Sequence, residues 1–193
     1  MINTNQLYGF LSLVLNNQKA KIGVYIFLFF IVISILAPLL ISSPNDYVGV
    51  PLQPPSFDHW FGTNGQGQDV FSQTIYGARK TLSIALLSGF LVVLVGAILG
   101  GAAGYFGRRT DDLISLVINV FLLLPGLPLM VILAAWLPPG SLTIIIVLVF
   151  TGWAWHARVL RSQVMAFREQ DFVYAAIVCG ESHSRIIVAE ILP

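Results

Sequence analysis

Charged residues are scarce in this 193-residue sequence. They make up 10% of it, whereas hydrophobic residues make up 56%, and a soluble domain usually carries about 25% charged residues. Ten basic and nine acidic side chains leave a net charge of +1. Such a balance provides no basic surface to neutralise the phosphates of a nucleic acid. The composition therefore predicts an integral membrane protein and excludes nucleic acid as a partner.

Cysteine, clustered metal ligands and a nucleotide-binding loop are missing as well. Cys179 is the single cysteine, so an intrachain disulfide is impossible. His156 and His183 have no second ligand at helical spacing, so no metal site is predicted. The glycines at 65 and 67 follow no predicted strand and precede no Gly-Lys-Ser/Thr. If the protein transports a substrate, the energy must therefore come from a separate subunit, and no cofactor is predicted in this chain.

Four apolar stretches are predicted to cross a bilayer: 22–41, 81–106, 113–136 and 142–155. The first is longer than the roughly 7–15 apolar residues of a cleaved signal peptide, so we interpret it as a retained anchor. The four stretches contain no Asp, Glu, Lys, Arg or His. Ion-coupled transporters and intramembrane proteases need ionisable groups at this depth, and a channel needs a polar ring. All three classes are therefore disfavoured.

The predicted fold is all-α and polytopic, in three parts. Residues 1–41 form an N-terminal cytoplasmic tail and the first transmembrane helix. Residues 42–80 form an extracytoplasmic loop, rich in proline, and the helix that leads into the second span. Residues 81–193 form the rest of the transmembrane domain. The positive-inside rule places both ends of the chain in the cytoplasm. It rests on the basic residues that flank the spans, Lys19, Lys21, Arg108, Arg109, Arg158, Arg161 and Arg168.

Three glycines recur every fourth residue on one face of the second span. They are Gly96, Gly100 and Gly104. Small residues at this spacing let helices approach closely where lipid supplies no hydrophobic driving force. We interpret them as helix-packing residues, with a subunit interface as the alternative to packing inside the chain.

The third span is interrupted by two prolines around a glycine, at Pro125, Gly126 and Pro128. Such a break frees backbone polar groups that lipid cannot satisfy, so it should face protein or a water-filled cavity. We expect a buried kink here, and the wall of a translocation pathway is the functional alternative.

The stretch from residue 167 to the end is polar and helix-prone. Phe172, Ala175, Ala176 and Cys179 fall on one helical face, which predicts an apolar ridge. Gly180 is expected to stop this helix in a left-handed conformation, and a following serine can begin a second short helix. The pattern predicts a helix–glycine–helix elbow, and an amphipathic helix lying along the lipid surface is the alternative.

The order of residues in this elbow resembles a known motif. The Ala-Ala pair at 175 and 176, three residues, Gly180, and the closing Ile-Leu-Pro at 191–193 are similar to the cytoplasmic coupling motif of ABC importer permeases. Tyr174 stands where a glutamate is usual. The resemblance implies that residues 180–190 form the coupling helix that contacts an ATPase. The residues that it assigns to this contact are Ala175, Ala176, Gly180, Glu181, Ser182, His183, Ser184, Arg185, Ile187, Glu190 and Pro193.

A second motif lies in the predicted extracytoplasmic loop. It is similar to the signature of the dipeptide, oligopeptide and nickel permease subfamily. The matching residues are Phe61, Gly62, Thr63, Gly67, Asp69 and Arg79. Three positions that carry a charge in the subfamily pattern are neutral here, Asn64, Gln68 and Gln73. The resemblance therefore implies that an ionic lock in this loop is weakened or absent, while Asp69 is placed to begin a helix.

The two motifs together imply a permease subunit of an ATP-driven importer for di- or oligopeptides or nickel. Its implied partners are a homologous second permease, two ABC ATPase subunits that bind ATP and Mg²⁺, an extracytoplasmic substrate-binding protein and membrane lipid. Members of the family have six spans, so we expect these 193 residues to be a fragment or a truncated product. The alternative is a non-transporting membrane scaffold derived from such a permease.

Overall fold

The computed structural model describes residues 17–41 and 43–191. All regular elements in these ranges are helical, apart from one isolated antiparallel bridge between Thr63 and Asp69. The chain divides into two compact units, Met1–Ser83 and Ile84–Pro193. The prediction of an all-α fold is confirmed.

Unit one contains helix α1, Gln18–Leu40, and the loop that precedes helix α2, Val70–Phe106. Helix α1 begins where the Asn17 side chain accepts a hydrogen bond of 3.0 Å from the Lys19 amide. The apolar side chains of α1 are largely exposed, for example Leu39 at 82%, because lipid rather than protein solvates a membrane helix. The α1 span was predicted at 22–41, so it begins four residues earlier than expected.

Unit two contains the rest of α2 and helices α3, Arg108–Leu123; α4, Gly126–Trp136; and α5, Ser141–Arg168. The core of this unit joins α2, α3 and α5 around Ile118, Trp153 and Ala157, all less than a tenth exposed. The Phe121 ring of α3 meets the Trp153 ring of α5 edge-on, with 5.0 Å between centroids.

Two predicted spans belong to longer helices. The second was expected at 81–106 behind a separate leading helix, but α2 runs unbroken from Val70 to Phe106. The fourth was expected at 142–155, but α5 continues to Arg168. Neither junction carries a proline or a left-handed glycine, and nothing else interrupts the backbone hydrogen bonds. Both helices are longer than the roughly 20 residues that cross a bilayer.

The third predicted span is a bent pair of helices. Helices α3 and α4 are inclined at 88° across Leu124 and Pro125. In the described ranges, three helices are long and apolar enough to cross a membrane, and a fourth span results if this pair counts as one. The chain is a polytopic membrane protein, and its predicted four spans depend on the bent pair.

The remaining elements form the elbow that follows α5. Helix α6, Asp171–Val178, is succeeded by the short helix α7, His183–Arg185, and a π-helical segment, Ile186–Ile191. We call residues 171–191 the elbow.

Candidate functional site

Helix α6 ends through a glycine, as the sequence predicted. Gly180 has φ +79°, a left-handed conformation that glycine adopts without strain. Its amide donates to the Ile177 carbonyl at 3.0 Å, and the Glu181 amide donates to the Ala176 carbonyl at 3.1 Å. These two bonds form a Schellman motif, which satisfies the last carbonyls of the helix. The chain direction therefore changes sharply at this residue.

The inner side of the elbow is apolar. Val173 and Ile186 are fully buried and Ile191 is nearly so, and they share a cluster with Val164 of α5 and Tyr105 of α2. Ala176 and Ile187 pack against this cluster. The elbow is therefore attached to the ends of α2 and α5 by hydrophobic burial.

The buried face of α6 differs from the predicted one. Phe172, Ala175 and Cys179 were expected to form the apolar ridge together with Ala176, but all three are exposed. The buried face is formed by Val173 with the partly buried Ala176. Periodicity predicted the helix correctly but not its rotation, because both faces of α6 carry apolar side chains and the packing partners choose between them.

The outer side of the elbow is open around Gly180 and carries charged side chains there. No atom lies within 4 Å of the position that a Cβ would occupy at Gly180. Arg185 and Glu181 form an ion pair of 3.7 Å, with the arginine side chain 70% exposed. Oε2 of Glu181 is buried and accepts no hydrogen bond from the described residues. Glu190 is exposed. An open turn edged by charges is a suitable surface for docking another protein.

The other residues assigned to the ATPase contact lie in different environments. Ser182 precedes α7, and Ser184 lies within it. His183 makes a contact inside the chain, between its Nδ1 and the Tyr105 hydroxyl at 2.8 Å. Pro193 lies outside the described residues.

Three arginines of α5 connect this helix to α3 and to the end of α2. Arg161 forms a two-pronged ion pair with Asp111 of α3, in which its Nη2 lies 2.6 Å from Oδ2. Arg158 donates to Oδ1 of Asn119 at 2.6 Å. Arg168 donates to the carbonyls of Gly104 and Tyr105, each at 3.4 Å, where a cation stabilises the end of a helix. Sequence reasoning did not identify Tyr105, Asp111 or Asn119, because their partners are distant in sequence.

The three glycines of α2 lie against α5. A Cβ at Gly96 would lie 2.8 Å from Cβ of His156, and one at Gly104 would lie 2.7 Å from the Arg161 carbonyl oxygen. At Gly100 it would overlap the carbonyl oxygen of Ala157. In this chain the glycines allow two helix backbones to come into contact, which is the expected effect of small residues in a membrane.

The helix break is not buried within the chain. Pro125, Gly126 and Pro128 are all exposed, and a Cβ at Gly126 would meet no atom within 4 Å. The prediction of a buried kink is therefore wrong for the described residues. The Pro125 carbonyl still accepts the Leu129 amide at 3.1 Å, so α4 begins with a normal helical hydrogen bond.

The loop before α2 is tightly folded around two left-handed glycines. A Cβ at Gly62, φ +71°, would overlap the Gln53 carbonyl oxygen, and one at Gly67, φ +72°, would overlap that of Gly49. Thr63 is buried and its hydroxyl donates to the Val50 carbonyl at 2.6 Å. These residues of the loop signature therefore determine the loop conformation.

The remaining residues of this signature lie at the start of α2. Oδ2 of Asp69 accepts hydrogen bonds of 2.7 Å from both the amide and the hydroxyl of Ser72, which caps the helix. Burial raises the pKa of this carboxyl, but the bonds from Ser72 and the contact with His59 outweigh burial. The pKa therefore lies below its ordinary value of 3.8. The Phe61 ring packs edge-on against Phe71 with 5.3 Å between centroids, and Arg79 is exposed.

The three neutral positions of the signature hydrogen-bond to one another. Nδ2 of Asn64 donates to Oε1 of Gln68 at 3.0 Å and to Oε1 of Gln73 at 3.2 Å, and Nε2 of Gln73 donates to Oε1 of Gln68 at 2.7 Å. Gln68 and Gln73 also donate to the carbonyls of Asn45 and Pro44. We call these three residues the amide triad. A neutral network therefore connects the loop where a weakened lock was expected.

Comparison with known proteins agrees with these features. Residues 92–193 match the family described as binding-protein-dependent transport system inner membrane component. The chain is 39% identical to the dipeptide transport system permease protein DppC of Bacillus subtilis. That alignment covers 92% of this chain and 56% of the relative. This chain is also 36% identical to the oligopeptide transport system permease protein OppC of the same organism, over 92% of this chain and 59% of that protein.

A third relative is the dipeptide permease DppC of Alkalihalophilus pseudofirmus, 37% identical over 92% of this chain. The chain spans 56% to 59% of the length of these three relatives. The family match covers α2 from residue 92 onward, the glycine contacts with α5 and the whole elbow. The chain belongs to the family of binding-protein-dependent transport system inner membrane components.

Proposed function

We propose that this chain is a transmembrane permease subunit of an ATP-driven importer of di- or oligopeptides. The observation that carries the proposal is the elbow, whose apolar side is buried on α2 and α5 while its polar side, around Gly180, is open. A partner that pushes on this side would displace the ends of α2 and α5 at the same time. Relatives named as dipeptide and oligopeptide permeases favour a peptide substrate, and nickel is the alternative.

The chain itself does not catalyse a reaction in this proposal. Two ABC ATPase subunits bind ATP and Mg²⁺, a homologous second permease completes the pathway, and an extracytoplasmic binding protein delivers the substrate. Both ends of the chain lie in the cytoplasm, on the side where ATP is available. The exposed break at Pro125 and Gly126 forms part of the pathway wall or meets the second permease. ATP-driven closure of the ATPases displaces the elbow and switches access to the pathway.

The first test is a purification from native membranes through an N-terminal tag. Co-purification of ATPase subunits and a second permease supports the proposal. A tagged chain of this mass that brings down no ATPase would favour a non-transporting scaffold. If the purified assembly takes up radioactive nickel and not labelled alanyl-alanine, the substrate is nickel and the proposal of a peptide substrate is wrong.

A substitution at Gly180 tests the docking surface itself. Asparagine tolerates a left-handed conformation. The space around Gly180 is open, so an asparagine side chain at this position would not clash with the rest of the chain. We therefore expect Gly180→Asn to fold normally but to recruit at least several-fold less ATPase, because the added side chain occupies the open space at the turn. Gly65→Asn adds the same side chain at another open position and should recruit ATPase normally. Equal recruitment by both variants contradicts the docking surface.

A further inference from the structure

Tyr105 lies where α2, α5 and the elbow meet. Its side chain is 7% exposed and belongs to the cluster of Val164, Val173 and Ile186. Besides Tyr105, the cluster contains one residue from α5, one from α6 and two, Ile186 and Ile191, from the π-helical segment. The tyrosine therefore joins the last turn of α2 to both arms of the elbow.

The hydroxyl of this buried tyrosine has a specific partner. It lies 2.8 Å from Nδ1 of His183, and the two rings meet at an angle of 61° with 5.6 Å between centroids. A buried hydroxyl left without a partner destabilises a protein, so the contact resists separation. His183 is the first residue of α7 and is itself exposed. The His183 side chain therefore lies on the outer surface of the elbow and also contacts a member of the buried cluster.

The last turn of α2 is in turn attached to α5. Arg168 donates to the carbonyls of Gly104 and Tyr105, and Gly104 lies directly against the backbone of Arg161. The Ile187 side chain also packs over Gly101, with Cγ2 at 3.6 Å from the position of a Cβ there. A displacement of the elbow that preserves these contacts must carry the end of α2 with it.

We propose that the hydrogen bond between Tyr105 and His183 is the contact through which movement of the elbow reaches α2. Tyr105 is then a positioning residue for coupling, and His183 acts inward on α2 as well as facing a partner. The consequence for transport rests on the proposed function. The attachment of the elbow to α2 is a property of this chain alone, so the two can be tested separately.

The attachment is tested with a spin label on Cys179, the single cysteine, which is exposed at the end of α6. The chain is placed in lipid nanodiscs and label mobility is measured by electron paramagnetic resonance. We expect Tyr105→Phe, which keeps the buried ring, and His183→Ala, which changes an exposed residue, to increase mobility. His183→Asn retains an amide near the position of Nδ1 and should restore much of the order. Tyr25→Phe removes a hydroxyl from the exposed surface of α1 and should change nothing.

Unchanged mobility in both Tyr105→Phe and His183→Ala would overturn the attachment. Two variants at opposite ends of the bond guard against misfolding of either one.

The consequence for transport is measured as alanyl-alanine imported per ATP hydrolysed, in proteoliposomes that contain the complete assembly. A lost hydrogen bond of ordinary strength should reduce this ratio roughly two- to tenfold, while the amount of bound ATPase stays the same. A merely structural role would reduce import and hydrolysis together and leave the ratio unchanged, which would overturn the role in coupling. If the unmodified chain binds no ATPase, the proposed function fails, and the label on Cys179 still decides whether Tyr105 holds the elbow.

Discussion

Gly100 and Gly89 occupy the same helix in very different surroundings. A Cβ at Gly100 would overlap the carbonyl oxygen of Ala157, whereas one at Gly89 would meet no atom within 4 Å. Alanine is a better helix former than glycine by about 1 kcal/mol. We expect Gly89→Ala to be neutral or stabilising, and Gly100→Ala to destabilise by about 1–3 kcal/mol because a backbone atom cannot rotate out of the way. Thermal unfolding in detergent micelles measures both, and equal melting temperatures would contradict the close contact.

Asp69 makes the start of α2 sensitive to acid. Its pKa is lower in the folded protein than the ordinary 3.8, so its carboxylate adds stability that is fully present above about pH 4. This contribution is lost as the pH falls through the folded pKa. Asparagine caps helices almost as well without titrating, so Asp69→Asn should lose less stability than the unmodified chain between neutral pH and pH values below 4. The measurement is the melting temperature at each pH, and parallel losses in both proteins would refute the assignment.

At the scale of elements, the amide triad connects the loop to the first turn of α2. Gln73 belongs to that turn and donates to the Pro44 carbonyl near the end of α1. Gln68 accepts from both other members, so its removal eliminates two of the three hydrogen bonds within the triad. We expect Gln68→Ala to speed hydrogen exchange of the amides at residues 43–69 by about tenfold, the effect of roughly one hydrogen bond. Gln66→Ala alters an exposed side chain of the same loop and serves as the control.

The charged pattern of the subfamily gives a second test of the triad. Asn64→Asp, Gln68→Arg and Gln73→Arg together replace amide bonds with ion pairs, which salt screens. Exchange in the triple variant should therefore rise with ionic strength, whereas exchange in the unmodified chain should not. A loop whose exchange depends on salt before any substitution would show that the neutral network does not hold it.

In the elbow, the local sequence determines where α6 ends, whereas packing determines which face of α6 is buried. The end of α6 was predictable because Gly180 stops a helix through its own backbone. The buried face was not, because Phe172, Val173, Ala176 and Ile177 surround the helix with apolar groups. Contact with Tyr105 and Val164 selected Val173.

At the scale of the whole molecule, orientation in the membrane can be tested with the native cysteine. If both ends of the chain are cytoplasmic, Cys179 of the elbow lies inside the cell, and the loop of residues 43–69 lies outside. A membrane-impermeant maleimide should then label inside-out vesicles but not intact cells. A variant with Gln66→Cys and Cys179→Ser should show the opposite labelling. Labelling of Cys179 in intact cells would reverse the proposed orientation.

The sequence by itself determined that this is an all-α membrane protein, the approximate positions of its spans, the helix start at Asp69 and the left-handed stop at Gly180. Each of these depends on hydropathy or on backbone conformation over a few residues. Only the tertiary structure decided the continuous course of α2 and α5 and the exposure of the break at Pro125.

It also decided which residues meet across the fold. Tyr105 and His183 are 78 positions apart, and Arg161 and Asp111 are 50 apart. No local pattern encodes such pairs, because the distance between their side chains depends on how entire helices pack. Membrane helices are apolar on all sides, so periodicity does not distinguish the face toward protein from the face toward lipid. Steric fit at the glycines of α2 and a few buried polar contacts determine which helix faces are turned toward protein.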